Sequence, residues 1–224
     1  MLLAHTDSTG ARLLTRIWYP KGRWWSSDRI WPYSDRFRRA LAILRDRGVR
    51  VPEERSHGRI AGTAIRFVVF EALEGTSLRA VLPAVDLKGV AAYVAELHAK
   101  GVYCRSLHLG SVIALDGGGY ALVDVADTKL LDRPLPLRMR ERSLGIFCAH
   151  PAELEYMLDG HWSALVMEYC RAAHLTLTQS AAMLDRVRVQ IERRRAKREH
   201  QRELQVPTVY RARELAGSPG ARQR

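Results

Sequence analysis

Three polar residues stand at fixed offsets in the stretch YCRSLHLGSVIALDGGGYALVDVAD, residues 103–127: Ser106, Ser111 five positions on, and Asp124 eighteen on. Asp124 follows the apolar run Ala121, Leu122, Val123. A carboxylate in that position is costly if buried, so it needs a role or a partner. The hydroxyls of Ser106 and Ser111 offer oxygen without charge, whereas Mg²⁺ prefers hard anionic oxygen. His108 lies between the serines, and an imidazole titrates near neutral pH. It either serves as a base or hydrogen-bonds the loop in place. The eight histidines show no ligand spacing with the cysteines, so a zinc site is not expected.

The elements around this stretch must position it. Residues 87–100 are amphipathic, with Val90, Val94 and Leu97 at helical spacing and Tyr93 beside them, and Gly101 ends the helix. Residues 112–115 and 120–125 flank Asp116-Gly117-Gly118-Gly119, which predicts a hairpin. Upstream, residues 11–19 (ARLLTRIWY) read as a strand carrying Arg16. No G-x-G-x-x-G or Walker A sequence accompanies it. Residues 20–32 mix Trp24, Trp25 and Trp31 with Arg and Lys, a composition that suits base stacking, a membrane surface or the closed edge of a small sheet. Ser34 is expected to cap a helix over 35–47, with Phe37, Leu41 and Leu44 on its core face and Gly48 as the stop. Residues 60–75 predict two strands, then a hinge and a new helix at Thr76. Past Pro134 and Pro136, helices are expected over 139–150, 152–158 and 162–174, with Pro151 dividing the first two. Their core would be Leu144, Phe147, Leu154, Met157, Leu165 and Tyr169. A last helix over 178–204 is apolar in its first half (Ala181, Leu184, Val187, Ile191) and charged in its second. The end, AGSPGARQR, is expected to lack fixed structure.

Composition sets the frame. The chain has 224 residues, 47% of them hydrophobic, enough for a sizeable core. Cys104, Cys148 and Cys170 have no C-x-x-C spacing and leave one unpaired, which favours a reducing compartment. The opening residues lack the pattern of a signal peptide, and no apolar run is long enough to span a bilayer. Of the net charge of +12, the segment from Arg186 onward, with 12 Lys/Arg and 4 Glu, carries +8. Such a field favours phosphate-rich partners of any kind. An arginine-rich genome and a solvated tail would leave the same mark.

With loop and hairpin placed, a resemblance can be stated. The kinase catalytic loop H-R-D-L-x-x-x-N, followed by a metal-binding aspartate after the next strand, has this layout. Sugar and aminoglycoside kinases write the loop H-x-D-L-H-x-G-N. Residues 104–111 (CRSLHLGS) keep Leu107, His108 and Gly110, with Ser106 at the Asp place and Ser111 at the Asn place. Over roughly residues 11–160 the chain resembles the toluene-tolerance family and, more distantly, the lipopolysaccharide core (Kdo and heptose) kinases of Gram-negative bacteria. The loop string RSLHLG and the stretches YPKGR and WPY…RF carry that likeness. The resemblance implies an α+β, two-lobed protein-kinase-like fold: a small β-rich N-lobe (1–75), a mainly helical C-lobe (76–180), then a basic helix and tail (181–224). It implies that Asp124 chelates Mg²⁺ on the ATP phosphates and that Ser111 stands at the second metal position. Ser106 would stand where the attacking hydroxyl is oriented, and Arg16 where a lysine holds phosphate. A partner acid for Arg16 cannot be placed, since the helix over 35–47 offers only Asp35 and Asp46.

Three readings follow. The first is an ATP- and Mg²⁺-dependent kinase acting on a lipopolysaccharide core sugar. The second is a pseudokinase regulating the envelope or solvent tolerance, favoured by Ser106, Ser111 and Arg16. The third, nucleic-acid binding through the basic helix, rests on charge alone. Residues 186–202 could instead meet an anionic membrane surface, which suits either of the first two. The expected location is the cytoplasm, peripheral on the inner membrane.

Overall fold

A strand with one apolar face becomes stable only when that face is covered, and here a helix covers it. The computed structural model describes residues 1–19 and 31–205, with side chains through residue 199. Lys21, Gly22, Arg23, Trp24, Trp25 and the tail beyond residue 205 lie outside the described residues. Strands β1 (Leu2–Thr6), β2 (Arg12–Trp18), β3 (Glu54–Arg59) and β4 (Arg66–Glu71) form an antiparallel sheet in the order β1-β2-β4-β3. In β2–β4 pairing, Leu14 opposes Phe70, Arg16 opposes Val68 and Trp18 opposes Arg66. Cross-strand partners share a face, so Arg16 lies on the side where Val68 is fully buried. Helix α1 (Tyr33–Asp46) lays Phe37, Leu41 and Leu44 against that side. The Phe37 ring is 5.6 Å from Trp18 and 5.7 Å from Phe70.

The rest is helical, with two small antiparallel ribbons. Strands β5 (Gly75–Ser77), β7 (Val112–Leu115) and β8 (Tyr120–Leu122) form one, and β6 (Val102–Cys104) pairs with β9 (Thr128–Leu130) in the other. Helix α2 (Leu87–Ala99) starts where the Asp86 side chain accepts the Gly89 N–H at 3.0 Å. It packs against α4 (Trp162–Ala172), while α3 (Leu137–Cys148) packs against α5 (Leu177–Gln205). Leu144, Phe147, Leu154, Met157, Leu165 and Tyr169 are all buried. Burying each such side chain is worth about 1.5–3 kcal/mol. The result is a mixed α and β fold with small antiparallel sheets.

Several expected boundaries move. An edge strand, β1, precedes the expected first strand. The first strand of the 60–75 pair lies earlier, at Glu54–Arg59, because residues 60–65 make the turn into β4. Thr76 starts no helix. It sits in β5, where Gly75 has φ +153° and a Cβ would meet the Ala114 carbonyl at 2.2 Å, so chain entry there needs glycine. Ser34 does not cap α1: the cap position is Pro32, and Ser34 is buried inside the first turn. On α5 Met183 takes the core position expected for Ala181, which is exposed. Residues 152–158 give only one helical turn, Leu154–Tyr156, before a kink at Gly160, whose φ is +92°.

His98 is buried between helices, its Nδ1 2.8 Å from the Tyr169 hydroxyl and its Nε2 3.0 Å from Ser143 Oγ. Burial, helped by the charge of Arg140, pushes its pKa down to about 3. The unfolded chain takes up a proton below about 6.5, whereas the folded chain refuses it until about 3. Stability is therefore complete above pH 6.5 and falls as pH drops through that window, by at most about 1.4 kcal/mol per pH unit. Urea titrations of His98→Gln should show a shallower decline than wild type between pH 6.5 and 4, from a lower starting stability. Equal slopes would show that His98 is not the group responsible.

Candidate functional site

Arg16 is a cation on the covered face of a sheet, and its surroundings answer that charge. Its Nη1 lies 3.1 Å from Asp124 Oδ1. Its guanidinium also sits over the rings of Trp18 and Phe37, at 5.4 and 5.5 Å from the centroids. The partner acid that the helix could not supply is Asp124 itself. Of the helix acids, Asp35 instead pairs with Arg66 at 3.3 Å. Asp124 lies two residues beyond the end of β8, so the hairpin delivers it to the sheet.

The pair lines a cleft of about 510 Å³, together with Arg12 and Met1. Leu14 and Phe70 from the sheet, Ala72 and Leu73 from the crossing segment, and Ile113 and Val123 from the hairpin line its apolar walls. The size and the mainly apolar walls, with a few charged groups among them, suit a drug-sized ligand. Beside it, Asp127 accepts a hydrogen bond from the Tyr33 hydroxyl and faces Arg36 at 3.4 Å. Burial and then the Asp127 contact push the Tyr33 phenol well up. Residues 124–127 are thus held twice, by β2 and by α1.

The loop over 105–111 is anchored by buried Leu107 and Leu109. Ser111 is buried; its Oγ accepts the His108 N–H at 3.0 Å and donates to the His108 carbonyl at 2.7 Å. Its carbonyl accepts the Val123 N–H at 3.0 Å, which ties the loop to the approach of Asp124. Ser106 is half-buried and has no partner among the described residues. Neither serine nor His108 lines the cleft described above. His108 lies near enough to Asp124 for the carboxylate to favour its protonation, but burial and the charges of His150 and Arg79 outweigh this and hold its pKa below the usual value. A neutral imidazole is therefore the resting form.

Sequence reasoning missed what lies behind the loop. Arg79 reaches across Gly110, where a Cβ would sit 2.7 Å from the guanidinium. Its Nη2 is 3.2 Å from His108 Nδ1 and its Nε is 2.6 Å from Glu153 Oε1. Glu153 is fully buried, and its Oε2 meets His150 Nδ1. The His150 ring lies 4.2 Å from the His108 ring. No local spacing announces a group gathered from residues so far apart. The one available signal was Glu153 itself, an acid in a stretch bound for the core.

As a cation site, the cleft presents Mg²⁺ with one carboxylate, Asp124, since the Ser111 hydroxyl is spent on the loop. One carboxylate together with a ligand's phosphates is within the range Mg²⁺ accepts.

No protein-family model and no curated protein matches the chain. Among solved structures it is similar to the bifunctional kinase-methyltransferase WbdD, with 14% identity over 78% of this chain and 45% of that one, at a TM-score of 0.46. The co-crystal structure of WbdD and the kinase inhibitor LY294002 gives 14% identity, 77% and 45% coverage and 0.45. The high-resolution WbdD structure gives 12%, 84% and 50%, and 0.47. The chain spans about half the length of these structures.

The Arg16 and Asp124 side chains keep 30% and 33% of their surface exposed. Ion pairs of that kind contribute about 1 kcal/mol or less. Arg16→Ala and Asp124→Asn should therefore each shift the urea midpoint only slightly. A loss above about 3 kcal/mol would show the pair to be part of the core rather than of a site.

Proposed function

We propose that the chain is a protein-kinase-like module related to the lipopolysaccharide kinases, whose cleft takes the adenine nucleotide ATP. The observation that supports this most is the Arg16–Asp124 pair in the lining of a mainly apolar cleft that Arg12 also lines. A mainly apolar slot suits a purine, and a guanidinium in its lining suits phosphate oxygens, which it meets as a planar fork. Asp124, freed from Arg16 by the incoming phosphates, is the residue that would hold Mg²⁺. The ion, when bound, would neutralise phosphate charge. The chain's own contribution is alignment: Arg16 orients the phosphates, the segment over 124–127 is pinned to two elements, and the apolar walls exclude water.

The acceptor of this reading is a hydroxyl of an envelope glycan such as a lipopolysaccharide core sugar. Ser106 supplies no carboxylate to draw off its proton, and losing a positioned base typically costs about 10²–10⁴ in rate. Phosphoryl transfer depends chiefly on positioning and charge stabilisation, so transfer is slowed rather than forbidden. The second reading, a pseudokinase that binds nucleotide to regulate envelope assembly, is favoured by one specific feature: the Ser111 hydroxyl is engaged with its own loop. Residues 186–202 would dock the module on an anionic inner-membrane surface in either case. Arg138 and Arg142 of α3 share a hollow with Arg186 and Arg193 of α5, and with Glu141 and Asp185.

Calorimetric titration of ATP separates the contributions. Arg16→Ala should weaken ATP binding about 10- to 100-fold, the equivalent of one charged hydrogen bond lost. Asp124→Asn should abolish the gain from Mg²⁺ while leaving metal-free binding intact or stronger. Wild-type protein that binds no ATP with or without Mg²⁺ would end this reading. Glycan phosphorylation abolished in Asp124→Asn would select the kinase over the pseudokinase.

A further inference from the structure

Glu153 is an acid with no surface exposure, and acids are placed so only when something compensates the charge. Arg79 occupies one oxygen, Oε1, at 2.6 Å. The other, Oε2, faces His150 Nδ1, and the His108 ring lies 4.2 Å beyond. The three residues come from two parts of the chain. His108 is in the loop over 105–111, while His150 and Glu153 flank Pro151, between α3 and the single turn Leu154–Tyr156. One candidate ligand atom from each lies within 4.8 Å of the others. Tetrahedral ligands at about 2.1 Å from an ion stand roughly 3.4 Å apart, so closure needs only a modest swing of the two partly exposed imidazoles.

We propose that His108, His150 and Glu153 form a binding site for a divalent d-block cation, with Zn²⁺ the best fit. Two imidazoles and one carboxylate suit such ions and suit Mg²⁺ poorly. Both imidazoles are partly exposed, and the buried Glu153 carboxylate lies against His150. Arg79 keeps Oε1 and becomes the outer partner that orients the ligating carboxylate, the usual arrangement around a metal. Its second contact, from Nη2 to His108 Nδ1, is given up when that nitrogen ligates. The bound ion would tie the loop carrying Ser106 to the start of the helical turn at Leu154, across a gap spanned by Arg79 and by the His108–His150 ring contact. None of this depends on the nucleotide reading, because Asp124, Arg16 and the apolar cleft take no part.

The test uses the full chain, stripped with chelator and free of nucleotide. Zn²⁺ titration should show one site per chain, unaffected by millimolar Mg²⁺. His150→Ala and His108→Ala, both at partly exposed positions, should each weaken it at least about tenfold, and Co²⁺ should give visible bands that both variants lose. X-ray absorption of the Zn²⁺-loaded wild type should show a nitrogen and oxygen shell with imidazole scattering, whatever the folding of the variants. Absence of Zn²⁺ binding, binding by both variants as tight as by wild type, or a sulfur shell overturns the proposal.

Discussion

A guanidinium placed on the covered face of a sheet cannot be left without an anion, and that requirement organises the centre of this molecule. Arg16 opposes Val68 in the sheet, so its side chain is directed inward together with Leu14, Phe70 and Trp18. The cost of a charge there is met by two aromatic faces and by Asp124. Because Asp124 arrives from the hairpin, the pair joins hairpin to sheet. The cleft is the space left between them. Asp127, held by Tyr33 and Arg36 of α1, makes the same approach a second time and keeps it from sliding.

The loop behind the cleft shows a different economy. Its hydroxyl at 111 is used to hold the loop's own backbone, and its histidine is kept neutral by burial and by neighbouring cations. Both uses favour rigidity over charge. The negative charge of this region sits instead in Glu153, one layer back, where Arg79 and His150 share it. Glycine at 110 leaves room for the Arg79 guanidinium beside the loop. The molecule therefore has an ion pair in front of the loop and a polar cluster behind it, and Asp124 influences His108 electrostatically without touching it.

The helical part supports these groups from below. Leu97, Phe147, Leu165 and Tyr169 are buried between α2, α3 and α4, and His98 inserts a satisfied polar link among them. Helix α5 adds Met183, Val187 and Ile191 to the same core before turning mostly charged. Its start is marked by Thr176 and Gln179, which satisfy each other's backbone N–H groups at 3.2 and 3.0 Å. That capping box, T-x-x-Q, stands openly in the sequence and places the helix one residue earlier than its apolar pattern does.

The sequence by itself determined the elements whose signals are local. Helical spacing placed α1, α2 and the buried residues of α3 and α4, and an Asp-Gly turn placed the β7–β8 hairpin, because these depend on residues a few positions apart. It also marked Asp124 as an acid needing a partner. It could not choose that partner, since either face of β2 carries apolar residues and only the docking of α1 decides which face is inward. Strands β1, β6 and β9 are too short or too exposed to announce themselves without their mates. The gathering of His108, His150 and Glu153 was likewise decided by tertiary structure alone. Contacts across forty residues arise from how helices pack, and no spacing in the chain records them.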